Sequence, residues 1–137
     1  MAEDTITNTF PVNLKDYDIS GIVKQLIVVN MAVPMSYGQI SAQISHCSML
    51  GILNQGRWIN NKFEVECDTE LKLWLSEHFT IVILKTWGKD SILKLKAEAE
   101  ALYLNTAVME DYGFTTALAI GPALDSKLAP FKRLTLL

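Results

Sequence analysis

Metal and disulfide chemistry have little material to work with in this sequence. It contains two cysteines, Cys47 and Cys67, and two histidines, His46 and His78. Neither cysteine has a Cys-x-x-Cys partner, and no Cys/His spacing of a structural zinc site is present. Two reduced, buried thiols in a cytoplasmic protein are therefore expected rather than a disulfide. Cations are scarce too: 12 Lys and Arg stand against 15 Asp and Glu, a net charge of −3. That balance argues against a strong general nucleic-acid binder and leaves room only for a local basic patch. No apolar run approaches the roughly 18 residues of a membrane span; "TIVILKTW" stops after a strand's worth. The start, "MAEDTITNTFPVNLKDYD", is acidic and polar, with neither a basic n-region nor an apolar h-region. Residues 1–20 read as an extension and residues 21–137 as one domain. P-loop, GxGxxG, GxSxG and HExxH motifs are all missing, which removes the commonest nucleotide, hydrolase and zinc-protease readings.

What is present is apolar and regularly patterned. Half of the 137 residues are hydrophobic, enough for a single core. "IVKQLIVVN" (22–30) and "TIVILKTW" (80–87) are β-branched runs fit for strands buried on both faces. Ser36 followed by Gln39 has the spacing of a capping box and opens a helix that runs to about 54–56. On that helix Ile40, Ile44, Cys47 and Gly51 should face the sheet, with Gln39, Gln43 and His46 forming a polar stripe beside them. "RWINNKFEVEC" shows no regular pattern and reads as loop. Asp68 can cap a helix with Leu71, Leu75 and Phe79 on one side. Residues 90–104 are an amphipathic helix with Ile92, Leu95, Ala99 and Leu102 inward and Lys94/Glu98 and Lys96/Glu100 pairs on a solvated face. "TAVMED" and "TALAIGPA" are strands joined by a turn so short that they must form an antiparallel hairpin. Asp125 should cap a last short helix. The alternation predicts an α/β fold, a three-layer α/β/α sandwich with a mixed four-stranded sheet.

Candidate chemistry lies at strand ends and helix starts. The loop 30–36, the Ser36-capped helix start and the hairpin mouth at 111–116 can belong to one site. Asp111 can orient or activate a water, and Thr115 and Thr116 can donate to a polarised carbonyl or phosphate. Turn and strand chemistry alone also account for these three residues. His46 can act as a base near neutral pH or simply bond to its neighbours. Trp58, Trp74 and Trp87 have apolar neighbours that favour packing over base stacking.

The segments "KQLIVVN", "MSYGQISAQISH", "LKAEAEALYLNTAVMEDYG", "ALAIGPA" and the final "LTLL" stand in the order and spacing of the type 2 peptidyl-tRNA hydrolases. From about Val23 to Leu137 the chain resembles that family. The resemblance implies a mixed sheet between helix layers, often a homodimer, and hydrolysis of the ester between a peptide and the terminal ribose of tRNA. It implies no metal and no other cofactor. Asp111 stands at the family's aspartate, and Thr115 and Thr116 fill its threonine positions as catalytic residues. Gln43 and His46 match the family's "AQ..H" pattern. With Ser36, Gln39 and Gly113 they are the expected substrate-binding residues. Three features depart from the family. Its loop lysine falls at Pro34, the lysines flanking the loop glycine are Tyr37 and Gln39 here, and the longer excursion between the hairpin strands is missing.

Three functions remain open at this level. One is hydrolysis of peptidyl-tRNA, or a related aminoacyl-tRNA ester, to release free tRNA in the cytoplasm, with no membrane involved. Another is a relative without the chemistry that binds a protein or RNA partner. The third is a different small-molecule hydrolase or ligand binder in the same cleft. A hydrolase should bring Asp111, Thr115 and His46 together on an open cleft with a basic residue nearby. An interaction module should close that cleft with Met35, Tyr37 or Phe114.

Overall fold

The computed structural model describes residues 21–137; the extension read over 1–20 lies outside the described residues. Strand β1 (Val23–Asn30) leads through a loop to helix α1 (Tyr37–Leu53). A small hairpin follows, β2 (Gly56–Ile59) and β3 (Lys62–Val65), then α2 (Thr69–Leu73), which continues as a π turn over Trp74–His78. Strand β4 (Thr80–Thr86), helix α3 (Lys89–Ala101), β5 (Thr106–Asp111) and β6 (Phe114–Leu124) complete most of the domain. A 3₁₀ segment (Asp125–Arg133) and a short β7 (Thr135–Leu136) close the chain.

The main sheet has the order β5-β6-β1-β4-β7. β1 pairs parallel with β4 and antiparallel with β6, so the sheet is mixed. Alternation along β1 divides the core. Leu26 and Val28 pack with Leu118, Ile120 and the Ile92, Leu95 and Ala99 face of α3. Ile27 and Val29 pack with Ala117, Ala119 and Cys47, with Ile40 and Ile44 of α1 against them. Helices thus cover both faces, and the α/β/α layering holds.

The sheet has five strands where four were expected. The extra strand is β7, whose Leu136 and Thr135 pair with Leu84 and Lys85 of β4. Two residues carry too little pattern to be read as a strand beforehand. The region read as loop is instead the β2–β3 hairpin. Its turn is Asn60–Asn61, with Asn60 at φ 56°, and Trp58 meets Phe63 edge-on at 5.5 Å between ring centroids. Trp74 is buried and donates to the Thr80 carbonyl, but Trp58 and Trp87 are exposed at 70% and 60%, against the packing expected of them.

The π turn inserts a residue into the second helix and rotates its end. Trp74 therefore takes the inward place expected of Phe79, which is exposed and ends the turn in the left-handed region. Leu102 lies beyond the end of α3 and is also exposed. Lys96 and Glu100 pair at 2.8 Å as expected, whereas Glu98 is held by Arg133 at 2.7 Å, which lowers its carboxyl below the usual range. Asp125 makes no cap. It pairs with Lys24 at 2.9 Å and Lys132 at 3.0 Å.

Close approach of α1 to the sheet depends on small residues. A Cβ on Gly51 would stand 2.8 Å from Nε2 of Gln25 and 3.3 Å from Cβ of Ala119. The Gln25 carboxamide cannot easily retreat: it is fully buried, donates to the Ser48 carbonyl and accepts from the Ser48 hydroxyl. Overpacking costs about 1–3 kcal/mol, more than the ~1 kcal/mol that alanine returns in helix propensity. Gly51→Ala should therefore lower the melting temperature by several degrees. Gly38→Ala in the same helix meets only Ser36 Oγ at 4.0 Å. It should be neutral or stabilising by up to ~1 kcal/mol. Thermal melts of the two variants check the contrast; a Gly51→Ala protein as stable as Gly38→Ala would refute the close approach.

Candidate functional site

The site is built where β1 ends. Asn30 is the only polar residue after Gln25 in that strand and is buried at 3% exposure. Its carboxamide nitrogen donates to the Thr115 carbonyl at 2.9 Å. Its oxygen accepts from the Ala32 N–H at 3.0 Å and the Gly88 N–H at 2.7 Å. One side chain thus joins the start of β6, the loop after β1 and the turn that opens α3. Met31 N–H adds a bond to the Thr86 carbonyl at 2.7 Å, which fixes the first residue of that loop to the end of β4. The loop then enters α1 through the expected capping box. Ser36 Oγ accepts from the Gln39 N–H at 3.2 Å and Gln39 Oε1 accepts from the Ser36 N–H at 2.8 Å.

Opposite the loop stands the β5–β6 hairpin, and one irregularity in it decides which threonine faces α1. Met109 pairs with Ala117, but the next pair is Glu110 with Thr115, so Thr116 is an extra residue in β6. Such a bulge places two consecutive side chains on one face. Thr116 joins Ala117 on the α1 face, and Thr115 falls on the α3 face beside Glu110, to whose carboxylate it donates at 3.0 Å. Thr116 is buried, and its hydroxyl donates to Gln43 Oε1 at 2.5 Å. Gln43 Nε2 in turn donates to Asp111 Oδ2 at 2.8 Å. The order of donors is chemically consistent, since an ionised carboxylate only accepts and an amide nitrogen only donates.

This chain opens on a cavity of about 360 Å³. Gln39, Gln43, Asp111 and Thr116 give it polar groups; Val33, Pro34 and Met35 of the loop and Tyr112 and Phe114 of the hairpin give it apolar lining. No lysine or arginine among the described residues lines it. Among the described residues Asp111 Oδ1 has no hydrogen-bond partner, so one carboxylate oxygen is held and the other is available to a water. The cavity is not closed: Tyr37 is 91% exposed and Phe114 is 52% exposed.

Of the residues expected at the site, Asp111, Thr116, Gln43 and Gln39 share the cavity. Thr115 bonds away from it, Ser36 uses its hydroxyl as a cap, and Gly113 is the second turn residue at φ 82°. His46 is exposed and borders a different groove, with Glu110 and Lys96, over β5, the end strand of the sheet among the described residues. Cys47 lies one turn beyond Gln43, but burial pushes its thiol up to about 12, so it supplies no thiolate near neutral pH. Asn30 and Tyr112 were missed from the sequence, and Phe114 was expected there only as a residue that could close the cleft. A lone asparagine closing an apolar strand was the available signal for the first.

The family model described as Peptidyl-tRNA hydrolase PTH2 matches residues 23–137. The chain belongs to the type 2 peptidyl-tRNA hydrolase family. A peptidyl-tRNA hydrolase of Halobacterium salinarum is 30% identical over 111 residues, covering 76% of this chain and 89% of the relative. One of Thermococcus onnurineus is 30% identical over 107 residues, 73% of this chain and 84% of its own length. One of Saccharolobus islandicus is 27% identical over 121 residues, with 80% and 93% covered. Within this type 2 hydrolase domain, the loop position read as the family's lysine is Pro34, in the apolar lining of the cavity.

The contact between Gln43 and Asp111 has a measurable signature. Gln43→Glu sets a second carboxylate against the first, and two touching carboxylates cannot both ionise cheaply. The folded pair would keep a proton that the unfolded chain releases in the ordinary carboxylate range. The folded state then binds more protons, so the variant loses stability relative to wild type as pH rises from about 4 to 8. Urea midpoints at both pH values test this. An equal difference at the two would deny the contact.

Proposed function

We propose that the protein hydrolyses the ester of peptidyl-tRNA, or of a closely related aminoacyl-tRNA, and releases free tRNA. The observation that carries this reading is the Thr116–Gln43–Asp111 hydrogen-bond chain opening on the cavity, in a domain matched by the family from 23 to 137. In this mechanism the free oxygen of Asp111 accepts a hydrogen bond from a water and directs it at the ester carbonyl. Gln43 and Thr116 hold the carboxylate in that orientation. The water oxygen bonds to the carbonyl carbon, the bond from that carbon to the ribose oxygen breaks, and the proton lost by the water ends on the ribose oxygen. The products are a peptide acid and a tRNA with a free hydroxyl.

Charge developing on the carbonyl oxygen needs donors, and the loop offers no lysine. The positive end of α1 supports the reading. The first turn of that helix contains no acidic residue, and Gln39 carries it to the cavity rim. Protein groups and water carry the whole step. The same reading places the protein in the cytoplasm with its tRNA substrate and makes it a homodimer, the latter testable by light scattering.

Hydrolysis of peptidyl-tRNA by purified protein, run beside Asp111→Ala, tests the proposal. Wild type should turn over substrate and the variant should lose about a hundredfold or more in rate, the scale of a positioned general base. Its melting temperature should fall by only a few degrees, because Gln43 Nε2 loses its acceptor while the fold is kept, too little to explain a hundredfold loss of rate. Absence of cleavage by wild type at stoichiometric enzyme would overturn the hydrolase reading in favour of a binding role.

A further inference from the structure

We propose that Tyr112 and Phe114 form an aromatic shelf on which the terminal unpaired base of the tRNA stacks, doing in this cleft what cations cannot. The inference rests on the hydrolase reading and names how its substrate is held.

Two observations carry it. Tyr112 and Gly113 are the two residues of the β5–β6 turn and both have positive φ, 50° and 82°. Asparagine or glycine accommodates the first of these positions at least cost, and a tyrosine there is strained. The strain brings no packing return, because the ring is 93% exposed. Tyr103 shares both features, so strain without burial alone assigns nothing; it points to binding at Tyr112 because that side chain lines the cavity that holds Asp111. The other observation is placement. Phe114 is the cross-strand partner of Asp111, and both Tyr112 and Phe114 line the same cavity as that carboxylate. Val33, Pro34 and Met35 of the loop add further apolar lining to that cavity. The result is a largely apolar slot, open to solvent, beside the Asp111 carboxylate.

The chemistry of the slot selects its occupant. With no lysine or arginine among the described residues that line it, the slot has nothing to neutralise a phosphate. A nucleobase needs no counter-charge and presents a π face that any aromatic ring can accept. The acyl group is the other apolar part of the substrate, but peptides vary from one substrate to the next. The terminal nucleoside is the same in all of them, so a fixed aromatic site fits the invariant part.

Equilibrium binding tests this without turnover. The probe is a fluorescent, unacylated RNA minihelix with an unpaired 3′ end, compared with the same RNA lacking only its terminal base. Phe114→Ala and Tyr112→Asn should each weaken binding of the intact RNA by about tenfold. Neither should weaken the abasic RNA further, which wild type should itself bind about tenfold less tightly; the losses are thus non-additive. Tyr112→Asn should also melt at or above the wild-type temperature, which separates lost binding from lost fold. Tyr103 is the internal control: it is 97% exposed and has φ 60°, but it follows the far end of α3. Tyr103→Asn should leave binding unchanged. Equal affinity of wild type for intact and abasic RNA would overturn the proposal, as would unchanged binding in both shelf variants with a rate that tracks the acyl group instead. Hydrolysis that persists while base removal has no effect would sink the shelf alone. Base-dependent binding without hydrolysis would sink the catalytic reading alone.

Discussion

The buried carboxamide of Asn30 is the interaction on which the rest of the site depends. β1 is the middle strand of the sheet, and at its end three connections leave in different directions. Asn30 bonds one backbone group of each: the Thr115 carbonyl, the Ala32 N–H and the Gly88 N–H. A buried backbone group without a partner costs about 1–3 kcal/mol, so an apolar residue here would leave three such groups to be satisfied by moving the chain. What would move is the frame of the cavity. Val33, Pro34 and Met35 follow Ala32, and Thr116 follows Thr115. The side chain touches none of the cavity's contents, yet it sets the spacing between the cavity's walls.

From that frame the geometry propagates in two steps. The bulge at Thr116 turns a hydroxyl toward α1 that regular alternation would have sent toward α3. Gln43 then bridges the hydroxyl to Asp111 across the gap between helix and hairpin. The first step is an exception to a periodic rule, which a sequence pattern conceals, and the second uses the regular polar stripe of α1. Thus β1, the capping box, α1, α3 and the tight β5–β6 turn were all legible, because each follows a period or a cap signal. The assignment of Thr115 and Thr116 as equivalent was not resolvable, since only the bulge separates them. His46 belongs to the same polar stripe as Gln43 on a helical wheel, but three residues is not quite a turn. The offset carries it past the cavity and over β5. The Asn60–Asn61 hairpin was written in the turn residues and was overlooked for want of clear alternation beside it.

The electrostatics of the cavity form one consistent arrangement. Among the described residues the hydrogen-bond partner of the Asp111 carboxylate is a neutral amide, Gln43 Nε2 at 2.8 Å. A neutral donor fixes the carboxylate in space while leaving its charge for the water. The cost falls on the substrate side, because a negatively charged cleft in a chain of net charge −3 repels a polyanion and gains nothing from steering. Binding must then come from surfaces that act without charge over short range, and those are what the cavity presents: two aromatic rings, a proline, a methionine and a valine. Loss of the loop cations and presence of a strained, exposed tyrosine beside the carboxylate are therefore one design feature seen from two sides. Without stacking, the anionic cleft would have little means of keeping its substrate.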